Sequence, residues 1–370
     1  MLQLVTERQY RGAQVFAAEL SNMLATNGHE VLFVGLYATK ENILVAQGAE
    51  NIDLKGKKIA FDLSLLRRLM KLIKKTKPDI IQANGSDTLK YAALAKIFNP
   101  GLNIVYRNIS MVSSWTKQGS LKRKFSRFLF KKVNRVTSVG QQSMDDLVKT
   151  YGYPLAKTKL IRRGIPQFNY ETIAARKKII AEFNFPQTDF ILAHTGQFSP
   201  EKNHEFMIES FEKVLAHDHR GRLLFIGEGK KFREIKELVV KKNLDKHILF
   251  TGYRENVQEL LAGCDIFILG STIEGVPGVV LEAGIQSLPT VAVNVGGVGE
   301  VVINGKTGIL LDKHDADAFS KAIVSLLENE KLRQSLGVNA KRFVQENYSL
   351  QNSLKAFEHL YADIVKEKSS

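Results

Sequence analysis

One cysteine, one tryptophan and eight prolines occur among 370 residues. A single thiol, Cys264, excludes an intramolecular disulfide and a cysteine-based metal site, and it fits a reducing, cytoplasmic setting. Cys264 opens the apolar run through Leu269, where a thiol packs as a small hydrophobe, so no chemistry is assigned to it. Apolar runs near the roughly 18 residues of a spanning helix are lacking too. Met1-Leu2-Gln3-Leu4-Val5 is too short for a signal-peptide core, so neither a membrane span nor a secretory signal is expected. The eight histidines are scattered, and none forms a pair with metal-ligand spacing on a helical face. His29 reads as structural, and His194 as structural or, alternatively, as lining the cleft.

Acidic charge is scarce in one half only. Residues 1–167 hold 28 Lys and Arg against 11 Asp and Glu, a balance of +17, whereas residues 168–370 hold 25 against 27. A strongly basic half favours an anionic partner: nucleic acid, phosphorylated ligand or anionic lipid. The composition, 44% hydrophobic and 25% charged, is that of a globular protein, and the length calls for more than one core.

Short β-branched or apolar runs alternate with longer stretches of helical period, the pattern of βα units around parallel sheets. Strands are expected at 2–5, 30–35, 79–82, 103–106 and 135–139, then at 190–195, 222–226, 247–251, 265–269, 289–293 and 308–311. Between them fall helices from 14–27 through 331–346. The run Leu160 to Pro166 ends in Gly and Pro where the charge balance changes, which sets a domain boundary near 167. The expected architecture is α/β: residues 1–167 and 168–345 as two doubly wound, Rossmann-like domains facing a cleft, with ligands at the carboxyl ends of the strands. A helix in 346–370 carries an apolar stripe of Leu354, Phe357, Leu360, Tyr361 and Ile364.

The segment Gly270 to Ala283 concentrates the chemistry. A Gly- and Pro-rich loop carries Glu274 and leads into a helix carrying Glu282. Eight helical steps would separate the two by ~12 Å, too far for one acid/base pair but suited to two parts of an extended ligand. Backbone N–H groups at the helix start, around Gly278, Val279 and Val280, suit phosphate or sugar oxygens. Asp315 and Asp317 resemble a metal-binding Asp-any-Asp pair, yet they open a helix where acidic residues favour the amino end. They read as a cap, and no metal is expected.

These residues resemble glycosyltransferase family 4, of GT-B architecture, whose members carry two glutamates separated by seven residues. The resemblance covers essentially the whole chain and is strongest from His194 to Leu311. It implies that Glu274 contacts the donor sugar, Glu282 the nucleotide ribose, and the Gly275 to Val280 loop and helix start the donor. In Thr195-Gly196-Gln197-Phe198-Ser199-Pro200-Glu201-Lys202-Asn203, Lys202 matches the family's diphosphate-binding lysine, and Gln197 stands where arginine is usual. Phe250-Thr251-Gly252-Tyr253-Arg254 resembles the segment that frames the nucleotide base, with the Arg254 side chain free to cover the base or pair with a neighbouring acid. Arg11-Gly12 replaces the double glycine of a loop facing the cleft. Gln82 and Asn84 stand where histidines are frequent, so no histidine base is available there.

The resemblance further implies transfer with retention from a nucleotide diphosphate sugar to a glycan or lipid-linked acceptor, as in cell-surface polysaccharide or glycolipid synthesis, without metal or other cofactor. Its helix in 346–370 would cross back onto the first domain. A sugar-nucleotide epimerase or other GT-B enzyme, or a non-catalytic basic membrane or nucleic-acid adaptor, remains open at this point. An adaptor has no use for Glu274, Glu282 and Lys202 together, and nucleic acid is not the expected partner. Residues 115–135 hold eight Lys and Arg and no acid. Leu121, Phe125, Phe128 and Leu129 follow helical spacing as a core stripe there, leaving the cations outside with Trp115 and Phe130 as anchors, a surface suited to an anionic membrane on its cytoplasmic face.

Overall fold

Central strands here are apolar without alternation, because a parallel sheet covered by helices on both faces buries both sides of each strand. The computed structural model, which describes residues 1–39 and 43–369, follows this rule in two units: residues 1–164 together with the chain from Leu350, and Ile165–Ser349.

In the first unit all seven strands are parallel, in the order β3-β2-β1-β4-β5-β6-β7. They are β1 (Leu2–Val5), β2 (Leu32–Tyr37), β3 (Glu50–Gly56), β4 (Ile81–Asn84), β5 (Ile104–Asn108), β6 (Arg135–Ser138) and β7 (Thr158–Leu160). The helices are α1 (Gly12–Thr26), α2 (Leu63–Thr76), α3 (Ser86–Phe98), α4 (Leu121–Phe130) and α5 (Gln141–Tyr151). β1, β2, β4 and β5 are buried along their whole length. β3 was not expected. It is an edge strand, and its sequence Glu-Asn-Ile-Asp-Leu-Lys-Gly buries only Leu54 fully, so it lacks the apolar run that marks the central strands.

In the second unit α6 (Thr172–Phe183) precedes β8 (Phe190–Thr195), followed by α7 (His204–His217), β9 (Gly221–Ile226), α8 (Phe232–Lys241), β10 (Ile248–Gly252), α9 (Val257–Ala262) and β11 (Ile266–Leu269). Then come α10 (Gly278–Ile285), β12 (Thr290–Val293), β13 (Gly308–Leu311), α11 (Ala316–Glu328) and α12 (Glu330–Asn347). The sheet is again all parallel, β10-β9-β8-β11-β12-β13. In both units the strand order reverses beside the first strand, between β1 and β4 and between β8 and β11. Such a switch point opens a crevice at the carboxyl ends of the strands.

The second unit begins at Ile165 rather than after 167, because the Ile165 N–H donates to the Tyr348 carbonyl (3.1 Å). The final helix, α13 (Leu350–Ser369), belongs to the first unit. Its Leu354, Phe357, Leu360, Tyr361 and Ile364 share a core with Phe16, Leu20 and Leu24 of α1 and with Ile80, Val105 and Ile161. The Tyr361 hydroxyl donates to Gln82 Oε1 (2.6 Å) on β4.

α4 departs from the sequence reading. Leu129 and Phe130 enter the core, but Leu121, Phe125 and Phe128 are exposed, by 82%, 45% and 44%. Phe130, expected as a surface anchor, is instead locked among Tyr106, Tyr151 and Tyr153. Helical spacing identifies which residues share a face. It does not say whether the fold covers that face.

Candidate active site

β8 and β11 are neighbours, so the loops that follow them emerge side by side at the switch point of the second sheet. After β8 the chain runs Gly196 to Ser199 into a 3-10 turn, Pro200–Lys202, and Asn203 then takes a left-handed conformation (φ 53°) before α7 begins. After β11 the loop 270–277 leads into α10. The two loops are tied together, since the Thr272 N–H donates to the Glu201 carbonyl at 2.8 Å. This arrangement brings Lys202 Nζ to 2.6 Å from Glu274 Oε1. Glu274 is 8% exposed, so its charge is held in low dielectric and is compensated by the lysine.

Backbone contact around the pair is too tight for side chains. A Cβ on Gly227, which has φ +134°, would lie 2.2 Å from the Gly196 carbonyl oxygen, and one on Gly297 would lie 2.4 Å from that of Gly275. His314 Nε2 donates to the carbonyls of Gly270 (3.0 Å) and Ser271 (3.1 Å), fixing the start of the second loop.

Two buried imidazoles lie beneath the first loop. His194 donates through Nδ1 to the Ile268 carbonyl (3.0 Å), and its Nε2 would be 3.1 Å from a Cβ on Gly196. Burial, and then the neighbouring His204, hold His194 well below the usual histidine range. His204 stacks on Phe198, with ring centroids 4.1 Å apart, and burial pulls its pKa down to about 4. Both rings are neutral at pH 7, so they add no positive charge beside Lys202. His194 is fully buried in β8.

α10 begins at Gly278 after Pro277, with no side-chain cap and no acid in its first turn. The leading N–H groups of Gly278 and Val279 therefore have no intrahelical acceptor, and the helix dipole favours an anion there. Glu274 stands in the loop before this start, and Glu282, half-buried, one turn beyond it. Val276 and Val279 pack on the core beneath. Lys202, Glu274, Gly275 and the start of α10 are thus gathered at one crevice.

Gln197 is exposed. The backbone N–H of Tyr253 donates to Glu228 Oε1 (3.3 Å). The Arg254 side chain is turned to an ion pair with Glu182 of α6 and lies 6.0 Å from the Phe183 ring centroid. Of the two roles open to it in the sequence, pairing with a neighbouring acid is the one present here. Glu228 was missed in the sequence, although Gly227-Glu228-Gly229 at the end of β9 is a glycine-flanked carboxylate of the kind that punctuates strand ends.

In the first unit Arg11 and Gly12 are exposed at the start of α1, which has no side-chain cap and no acid in its first turn. The Arg163 guanidinium approaches within 3.2 Å of a Cβ position on Gly12. Arg107, 2% exposed, lies over the Phe16 ring at 4.2 Å. Burial, with Arg163 nearby, brings its pKa down to about 9. Gln82 and Asn84 are buried amides, and Asn84 donates to Gln3 Oε1 (3.0 Å) and the Leu4 carbonyl (3.1 Å). Asp315 accepts from the Ala318 N–H (3.0 Å) as the cap of α11, and Asp317 pairs with Lys213 (2.7 Å). Among the described residues no three His, Cys, Asp or Glu side chains gather as metal ligands. The Cys264 thiol is buried, and burial raises its pKa.

Residues 10–167 match the family Glycosyltransferase Family 4, and residues 175–343 match Glycosyl transferases group 1. The chain belongs to the family 4 glycosyltransferases. This glycosyltransferase is 25% identical to N-acetyl-alpha-D-glucosaminyl L-malate synthase of Bacillus anthracis, over 96% of its own length and 95% of that protein. It is 24% identical to the Escherichia coli UDP-Gal:alpha-D-GlcNAc-diphosphoundecaprenol alpha-1,3-galactosyltransferase, over 83% and 81% of the two chains. Its fold is that of Anabaena HepE, solved with UDP and glucose (TM-score 0.85, 18% identity, 98% of each chain). Sucrose-phosphate synthase of Thermosynechococcus elongatus is also similar (TM-score 0.82, 19% identity, 99% of each chain). The glycosyltransferase has the GT-B fold of two Rossmann-like units.

Proposed function

We propose that this glycosyltransferase moves a sugar from a nucleoside diphosphate sugar, with retention of configuration, to a glycan or lipid-linked acceptor in cell-surface polysaccharide or glycolipid synthesis. The observation that carries the reading is the Lys202–Glu274 pair beside the uncapped start of α10. An extended anion with a sugar at one end fits that crevice: diphosphate on Lys202 and the N–H groups of Gly278 and Val279, sugar hydroxyls on Glu274, ribose on Glu282. The names of the relatives, with UDP on HepE and on the galactosyltransferase, make uridine nucleotides the first donors to try.

In the transfer the bond between the sugar C1 and the diphosphate oxygen breaks while the acceptor hydroxyl oxygen bonds to C1 on the same face. Negative charge grows on the departing diphosphate, and the acceptor proton passes to it. Lys202 and the helix N–H groups stabilise that charge from fixed positions, a form of preorganisation that often supplies the largest catalytic contribution. No divalent ion is required by this scheme. The first unit is assigned the acceptor, and residues 115–135 are assigned an anionic membrane surface on the cytoplasmic face. Among the described residues no helix is long and apolar enough to cross a membrane.

The test is thermal unfolding with UDP, UDP-glucose, UDP-N-acetylglucosamine and the corresponding GDP- and ADP-sugars. A ligand at about 100 times its Kd adds about 2.7 kcal/mol of stability. A donor that stabilises the protein is then used for transfer in excess EDTA, with proton NMR of the product's anomeric centre. Stabilisation by no nucleotide sugar would remove the donor assignment. An inverted product would remove retention, and loss of activity in EDTA would remove metal independence.

A further inference from the structure

Between α4 and the segment that follows α5 lies a groove of about 680 Å³. Its rim carries Lys124, Arg127, Lys131 and Lys157, its wall includes Phe128 and Tyr151, and no acid lines it. Arg127 is held by the carboxyl end of α5, donating to the Thr150 carbonyl (3.4 Å). Lys124, Lys131 and Lys157 are exposed and make no ion pair among the described residues. From Thr88 to Met144 the chain contains no Asp or Glu at all. A face selected only for solubility would mix both signs, as α8 does with Arg233 paired to Glu237.

Helix stability does not account for these cations. Lys122, Arg123 and Lys124 occupy the first turn of α4, where the dipole disfavours positive charge and no acid offsets it. Leu121, Phe125 and Phe128 are exposed on the same helix, and Trp115, half exposed, precedes it. The Lys122 ammonium donates to the Trp115 carbonyl (3.1 Å), linking that residue to the helix. Exposed apolar side chains bracket a basic groove.

We infer that this groove is a discrete site for the phosphate of an anionic glycerophospholipid headgroup, with Lys124, Arg127, Lys131 and Lys157 around the phosphate and Leu121, Phe125 and Phe128 entering the acyl boundary. The inference rests on the assignment of residues 115–135 to a membrane and sharpens it. Diffuse attraction depends on the number of cations near the surface, whereas a site depends on which cations are present.

The experiment uses the full chain with phosphatidylcholine vesicles and with phosphatidylcholine–phosphatidylglycerol vesicles. Co-sedimentation is measured together with emission of Trp115, the only tryptophan in the sequence. Two variants of equal charge are compared: Lys124→Gln/Lys131→Gln/Lys157→Gln in the groove, and Lys71→Gln/Lys74→Gln/Lys75→Gln on the exposed face of α2. Wild type should bind the phosphatidylglycerol vesicles with a blue shift of Trp115. The groove variant should lose roughly tenfold or more in affinity, and the α2 variant should stay within about twofold. Equal weakening of both variants overturns the site while leaving diffuse membrane docking. No wild-type binding to either vesicle overturns the site and the membrane assignment together. Binding of free glycerol phosphate with no uptake on vesicles reassigns the groove to a soluble phosphate and overturns the lipid.

Discussion

Lys202 and Glu274, 72 residues apart, form a 2.6 Å ion pair across two adjacent strand-end loops. On the proposed donor assignment, a diphosphate would have to take Lys202 from this carboxylate. Removing either partner should thus have opposite effects on nucleotide binding.

Lys202→Ala should weaken UDP binding and lower kcat/KM by ~10²-fold or more. Glu274→Gln should leave UDP affinity equal or tighter, because the competing carboxylate is gone, while lowering turnover with a UDP-sugar. Calorimetric titration with UDP and steady-state kinetics check both. Weakened UDP binding in Glu274→Gln would show that the carboxylate organises the diphosphate site rather than competing for its lysine.

The loops of this site were legible because their types are punctuated. Glycine and proline interrupt apolar strands, and Glu274 and Lys202 sit where βα turns meet helix starts. What the sequence concealed depends on neighbours it does not name. β3 pairs only along β2 at the sheet edge, so its Glu50, Asp53 and Lys55 are tolerated in a strand. Phe125 and Phe128 have the spacing of core residues, yet α4 is covered only along Leu129 and Phe130. Arg254 could pair with several acids, and the packing of α6 brings Glu182 to it. Arg107 and Arg163 adjoin although 56 positions separate them. No local pattern predicts that contact.

Gly227 should tolerate no side chain. Its φ of +134° is costly for any L residue, and a Cβ would lie 2.2 Å from the Gly196 carbonyl. Gly28, with φ +89° and nothing within 4 Å, separates strain from collision. Gly28→Ala should cost about 1 kcal/mol. Gly227→Ala should cost clearly more and weaken UDP binding as the Gly196 loop shifts. Urea unfolding of both variants measures the difference, and equal destabilisation would assign the whole effect to backbone strain.

His204 should make the protein less stable as pH falls below neutrality. Its folded pKa of about 4 lies below the ordinary 6.5, so between these values the unfolded chain binds the proton and the folded one does not. The contribution is fully present above about pH 6.5 and is lost toward pH 4, by up to ~1.4 kcal/mol per pH unit. His204→Phe keeps an aromatic ring against Phe198 and removes the titration. Urea unfolding at several pH values should give a shallower slope for the variant over this window. Parallel slopes would mean that His204 protonates without unfolding its surroundings.

Phe357 on α13 is 1% exposed and meets Phe16 of α1 with centroids 6.2 Å apart. Among the described residues it lies in the one core cluster that α13 enters, together with Ile80, Val105 and Ile161 from the sheet side. Truncating it should open a cavity beside Phe16, whose ring is also held by Arg107 at 4.2 Å. Phe357→Ala should therefore cost ~3–5 kcal/mol, confined to the first unit. Tyr361→Phe should cost less, ~1–3 kcal/mol, by leaving the buried Gln82 oxygen without its 2.6 Å donor. Scanning calorimetry with and without UDP checks both size and location. The transition of the first unit should move down, while UDP still raises that of Ile165–Ser349, where Lys202 and Glu274 reside. Loss of UDP stabilisation in Phe357→Ala would show instead that α13 supports the donor site as well as its own core.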